Sequence, residues 1–101
     1  MSNTKINPYI HFAVRANKVL WGLDVIKSSS IVPKVILFDE TLGKNSKKQM
    51  TLYSDIKKVK VFELEENYLN DLLKRTNIKI IGIIDESFAN QIIEIMSKLE
   101  D

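Results

Sequence analysis

The run Ile78 to Ile84, IKIIGII, constrains this chain more than any other stretch. Five of its seven residues are isoleucine, which makes it the clearest strand in the chain. A second run, Lys34-Val35-Ile36-Leu37-Phe38, is a continuous apolar strand of the kind buried on both faces. A strand buried on both faces needs helices above and below it, and the rest of the chain offers such helices at the right spacing.

Asn7-Pro8 is a good helix start, with Asn able to cap the first amides and Pro tolerated in the first turn. Ile10 and Val14 continue the apolar face, and Asn17 suits a left-handed stop. Lys18-Val19-Leu20-Trp21 reads as a short extended segment. A second helix is expected from Gly22 or Asp24 to Lys27, ended by Ser28-Ser29-Ser30. After the 34–38 strand and a loop at 41–45, Asn45 or Ser46 can cap a third helix carrying Met50, Tyr53 and Ile56. A strand over 58–64 follows, with Val59 and Val61 on one side and Phe62 and Leu64 on the other. Tyr68, Leu69, Leu72 and Leu73 mark a fourth helix. Asp85 or Ser87 caps a last one, lined by Phe88, Ile92, Ile95 and Leu99. Alternating strands and helices predict a three-layer α/β/α sandwich with a mainly parallel four-stranded sheet, mixed in part. Residues 1–101 are expected to form one domain. Gly82, inside the strongest strand, is expected to let a helix approach closely.

Composition narrows the chemistry. The chain has no cysteine and a single histidine, His11, so disulfides, thiolate metal sites and cysteine nucleophiles are excluded. No Gly-rich phosphate loop or nucleophile–base pair is present. No catalytic residue, metal or cofactor is expected, and the chain does not read as an enzyme. Asp39-Glu40 and Asp85-Glu86 each follow a strand and could together hold a metal ion, but capping and the helix dipole account for both pairs. The N-terminus has no apolar signal core, and no apolar run approaches the roughly 20 residues of a membrane helix. A cytoplasmic protein with no membrane partner is the expectation.

Charge is unevenly spread. Residues 1–62 hold eleven Lys/Arg against four Asp/Glu, a net +7, and residues 63–101 hold four against nine, a net −5. One surface of the folded chain could therefore attract a polyanion. Within the basic part, Arg15, Lys18 and Lys27 bracket a short extended segment and the helix start at Gly22, where free amides favour phosphate. Trp21 stands among them, either as a stacking surface for an unpaired base or as a core residue. Lys44 to Lys48 and Lys57 to Lys60 are further basic clusters, readable as solvated element ends.

In this order of elements, Arg15-Ala16-Asn17-Lys18 followed by Gly22, Asp39-Glu40 leading to Asn45-Ser46-Lys47-Lys48, and Asp85-Glu86-Ser87-Phe88-Ala89 span nearly the whole chain. Together they resemble the kink-turn-binding ribosomal protein superfamily of the L-seven-Ae and L-thirty-e type, in particular its YlxQ-like bacterial branch. The resemblance implies a non-enzymatic domain that binds structured RNA, ribosomal or kink-turn-like, in the company of ribosome-associated proteins. It places RNA contacts at Arg15, Asn17, Lys18, Trp21, Gly22, Leu23, Asp24 and Lys27. It also implies apolar cover for a flipped base from the loop around Leu64 and Glu65. Leu23, Asp24 and Val25 stand where RNA-reading members carry a small residue and a polar pair, and Asn17 and Asn70 stand where glycines are common. The apolar Leu20-Trp21-Leu23-Val25 series motivates an alternative: a protein-interaction adaptor that keeps the fold without RNA specificity.

Overall fold

The computed structural model describes residues 4–100. The N-terminal reading partly concerns Met1 to Asn3, which lie outside the described residues. A 3-10 turn, Thr4–Ile6, leads into α1, Asn7–Arg15; then follow β1, Val19–Trp21; α2, Leu23–Ser28; and β2, Val35–Asp39. The second half runs α3, Lys44–Lys57; β3, Lys60–Leu64; α4, Tyr68–Leu73; β4, Ile80–Ile83; and α5, Glu86–Glu100. Every helix and strand read from the sequence is present, in a mixed α/β fold.

The sheet order is β1-β4-β2-β3. Only β2 and β3 are parallel; β4 runs antiparallel to both of its neighbours. The expectation of a mainly parallel sheet is therefore corrected to a mixed one. The connection from β3 to β4 carries α4, whose six residues span only about 9 Å. The chain leaves β3 and returns to β4 at the same end of the sheet, so no crossover takes place. Alternation of strands and helices does not reveal which helices carry the chain back across a sheet.

Each strand divides its side chains between two apolar clusters, as a period of two requires. Val19, Val35, Leu37, Phe62, Leu64, Ile81 and Ile83 join Ile10 and Ala13 of α1, Leu69 of α4 and Ala89, Ile92 and Met96 of α5. Leu20, Ile36, Phe38, Val61 and Ile80 join Ile26 of α2 and Met50 and Tyr53 of α3. The near-continuous apolar runs of β2 and β4 follow directly, because both faces of these inner strands are covered.

Local signals act partly through unexpected partners. Asn7 makes no cap bond; its amide oxygen accepts the Tyr68 hydroxyl, tying α1 to α4. α3 has Gly43 at its cap position and no side-chain cap, two residues before the expected Asn45 and three before Ser46. Asp85 does cap α5, accepting the Phe88 amide at 2.9 Å. The close approach at Gly82 comes chiefly from Pro33, ahead of β2: a Cβ there would lie 2.9 Å from the proline Cβ and 3.4 Å from Ile26 of α2.

Candidate nucleic-acid interface

The β1 edge is built by the turn that ends α1. The Asn17 amide bonds the Val14 carbonyl at 3.0 Å, and the Lys18 amide bonds the Ala13 carbonyl at 2.8 Å. This paired closure requires a left-handed residue between the two bonds, and Asn17 supplies it with φ 57°. Its place in the fold is thus a backbone role, with an exposed side chain. The Lys18 carbonyl then accepts the Ile84 amide at 2.9 Å, which sets β1 antiparallel against β4 with Val19 opposite Ile83 and Trp21 opposite Ile81.

At the far end of β1, Gly22 takes φ 93° and ψ 156°. Only glycine occupies this region comfortably, so the turn into α2 depends on it. Leu23 and Ile26 of α2 turn into the second cluster, while Asp24, Val25 and Lys27 face outward. The Lys27 ammonium donates to the Gln49 amide oxygen at 2.7 Å.

Arg15 and Lys18 therefore sit at one end of β1 and Gly22 at the other, about 13 Å apart along four extended residues. The sequence drew them as one corner around a helix N-terminus. They form a stripe along an edge strand instead, and the six-residue α2, under two turns long, adds little dipole to it. Arg15 lies over the Phe12 ring at 5.4 Å. Arg15, Lys18 and Lys27 are exposed and have no ion pair among the described residues.

Leu64 and Glu65 stand apart from this stripe, at the end of β3 on the opposite edge of the sheet. Leu64 is 7% exposed and belongs to the first cluster. In this structure its side chain therefore serves the core, and the expected apolar cover for a base has little exposed surface there. Glu65 is exposed in a loop fastened from below: the Glu66 amide bonds the Glu40 carboxylate at 2.9 Å, and the Asn67 amide bonds the Asp39 carboxylate at 2.8 Å.

Asp39 is fully buried and accepts both the amide and the hydroxyl of Thr41 besides Asn67. Burial pushes its pKa up, but these hydrogen bonds and the nearby Lys79 ammonium outweigh burial and hold the carboxyl below its ordinary value. The antiparallel course of β4 places Asp85 at the end of the sheet opposite Asp39. The two acidic pairs do not converge, and no metal-binding group of three or more ligating side chains occurs among the described residues.

The structure adds residues that the sequence reading passed over. Between α4 and β4 the chain turns twice through left-handed residues, Lys74 and Asn77. The Asn70 carbonyl accepts the Arg75 amide at 3.1 Å, and the Asn70 side chain accepts the Ile78 amide at 2.8 Å. This bridging loop carries the Arg75 guanidinium over the Trp21 ring, 4.2 Å from its centroid. Trp21 is half-buried, packed on the first cluster, and borders a recess of about 170 Å³ shared with Gly22, Asn77 and Lys79. No local pattern around Arg75 announces this contact; it depends on β1 and β4 being neighbours.

Elsewhere, Leu52 and Ile56 of α3 are 63% and 66% exposed and line a recess of about 210 Å³ with Lys27, Gln49 and Tyr53. The apolar series that motivated an adaptor is largely packed inward: Leu20 and Leu23 on the second cluster, Trp21 on the first. Of that series only Val25, at 45%, is strongly exposed. His11 is half-buried on α1.

No protein-family model matches this chain, and no curated protein does. A solved structure described as that of a protein with unknown function from Bacillus halodurans C is similar, with a TM-score of 0.79 over 94% of this chain and 99% of that one. The two sequences are 15% identical, so the likeness concerns the fold alone. No helix among the described residues is long and apolar enough to cross a membrane.

Proposed function

We propose that this chain is a non-enzymatic RNA-binding domain of the kink-turn-binding ribosomal type, a single three-layer α/β/α sandwich working in the cytoplasm on or near ribosomes. One observation carries the reading: Arg15 and Lys18 at one end of β1 and Lys27 beyond the other are exposed and have no carboxylate partner among the described residues. Unpaired cations along an edge strand offer spaced contacts to a phosphate backbone, and such contacts position a protein on RNA without reading bases. The two core clusters on opposite sides of the strands favour the layered arrangement. The left-handed Asn17, standing where related chains carry glycine, keeps the α1 to β1 turn that the resemblance asks for.

Electrophoretic shift and calorimetry against a folded RNA test this reading. Three phosphate contacts give a slope of roughly −2 to −3 in log affinity against log salt. Replacing Arg15 or Lys18 by alanine lowers that slope by about one contact each, across all RNA sequences. A salt-independent affinity, or no affinity at low salt, contradicts it.

A second reading has its own observation. Leu52 and Ile56, four residues apart on α3, expose an apolar face beside the recess at Tyr53. A protein-interaction module would use this face, on α3 rather than at the Leu20 to Val25 series. Loss of partner binding in Leu52→Lys, with RNA binding intact, would favour it.

A further inference from the structure

The sheet has two edges. β1 offers three apolar residues, whereas β3, at the opposite edge, is five residues long and sits in a stretch that changes sign. Exposed Lys57, Lys58 and Lys60 stand at its start, and exposed Glu63 and Glu66 at its end. The three lysines have no ion pair among the described residues. In the parallel ladder with β2, the Leu64 carbonyl accepts the Glu40 amide at 2.9 Å, so Phe62 and Leu64 turn their backbone groups inward. Alternation points the amides and carbonyls of Val61 and Glu63 away from the sheet, where they have no hydrogen-bond partner among the described residues. A row of such groups is a template for a further strand.

Charge decides which strand fits. A parallel second copy would set lysines against lysines, whereas an antiparallel one sets the basic start of β3 against the acidic end of its mate. Antiparallel pairing also requires that opposed residues turn their backbone groups toward each other. A two-fold axis at Phe62 meets this condition: Val61 lies opposite Glu63 of the second copy, and each such pair exchanges both of its hydrogen bonds. The same register runs Lys58 and Lys60 alongside Glu66 of the second copy. An axis at Val61 would need the Val59 amide, which is already given to the Ser54 carbonyl at 3.0 Å. An axis at Glu63 would oppose that carboxylate to itself. The geometry points to β3 as a self-association edge, pairing antiparallel with β3 of a second copy about Phe62 and joining two four-stranded sheets into one. A single pair of edge strands buries less than about 1,200 Å², at the weak end of specific interfaces, so a concentration-dependent dimer is expected.

Sedimentation velocity on the full chain, from micromolar to millimolar concentration, is combined with amide hydrogen exchange at both extremes. A dimer should form at the high end and dissociate as salt rises. The Val61 and Glu63 amides should exchange roughly tenfold more slowly in it, while those of Phe62 and Leu64 are protected at both concentrations. Val61→Pro removes an outward N–H, spares the ladder to β2 and should abolish the dimer. Lys58→Glu and Glu66→Lys should each weaken it severalfold, and the two together should restore it, which loss of folding cannot mimic. A chain that stays monomeric at millimolar concentration, a dimer without added protection at Val61 and Glu63, or charge reversals whose losses simply add overturns the pairing. Dissociation by Leu52→Lys with the β3 variants still dimeric assigns self-association to α3 and overturns it as well.

Discussion

Gly22 and Gly82 are required for different reasons, and substitution separates them. Gly22 has room for a side chain but a backbone only glycine adopts readily, so Gly22→Ala costs roughly 1–3 kcal/mol through strain. Gly82 has ordinary backbone space but lies against Pro33, so Gly82→Ala costs about 1–3 kcal/mol through overpacking. Replacing Pro33 by glycine, which removes both of the atoms that crowd the added methyl, restores part of the loss in the Gly82 variant and none in the Gly22 variant, as urea midpoints at unchanged m-value would show. Asp39 gives a pH signature. Its folded-state pKa lies below the unfolded one, so the ionised carboxylate adds stability above the ordinary aspartate range, and this is lost as pH falls through the folded value. Asp39→Asn, which places a donor among donors, should cost roughly 1–3 kcal/mol at pH 7. The gap between variant and wild type should close below about pH 4.

At the scale of elements, the sequence was legible where a signal is local. The apolar runs of β2 and β4, the face of α5, the Asp85 cap and the left-handed Asn17 follow from residues within a few positions of one another. What stayed hidden depends on which elements become neighbours. Asn7 looks like a cap but reaches Tyr68, 61 residues away. The antiparallel course of β4 depends on the end of the sheet at which the α4 connection returns, which periodicity does not encode. Arg75 joins the site only because the α4–β4 loop passes over β1. Leu64, read as loop cover for a base, continues the alternation of β3 into the core. α3 is the element whose outward face departs furthest from a simple polar surface. Leu52→Lys and Ile56→Lys should change stability by less than about 0.5 kcal/mol, because neither side chain is buried. Thermal unfolding checks this; a large loss would mean that the face is packed rather than free.

At the scale of the molecule, the cations stand at two ends of the sheet rather than in one patch. Lys18, Lys34 and Lys60 flank the starts of β1, β2 and β3, and Arg75 and Lys79 stand at the other end of the sheet beside the Trp21 recess. Lys47 is partly neutralised by Glu63 at 3.9 Å. The β1 edge joins the two ends, which is why the RNA-binding proposal is centred there. The departures at Leu23, Asp24 and Val25 bear on selectivity rather than on backbone docking, since Leu23 is turned into the second cluster and Asp24 carries the wrong sign for a phosphate. The most direct test is a competition titration of the full chain between a kink-turn RNA and a plain duplex of equal length, repeated across a salt series. The account predicts tighter binding to the kink-turn RNA, with affinity for both falling steeply as salt rises and weakened by Arg15→Ala and Lys18→Ala. Equal affinity for the two RNAs would contradict kink-turn recognition, and affinity unmoved by salt or by either substitution would contradict the β1 edge as the RNA-binding surface.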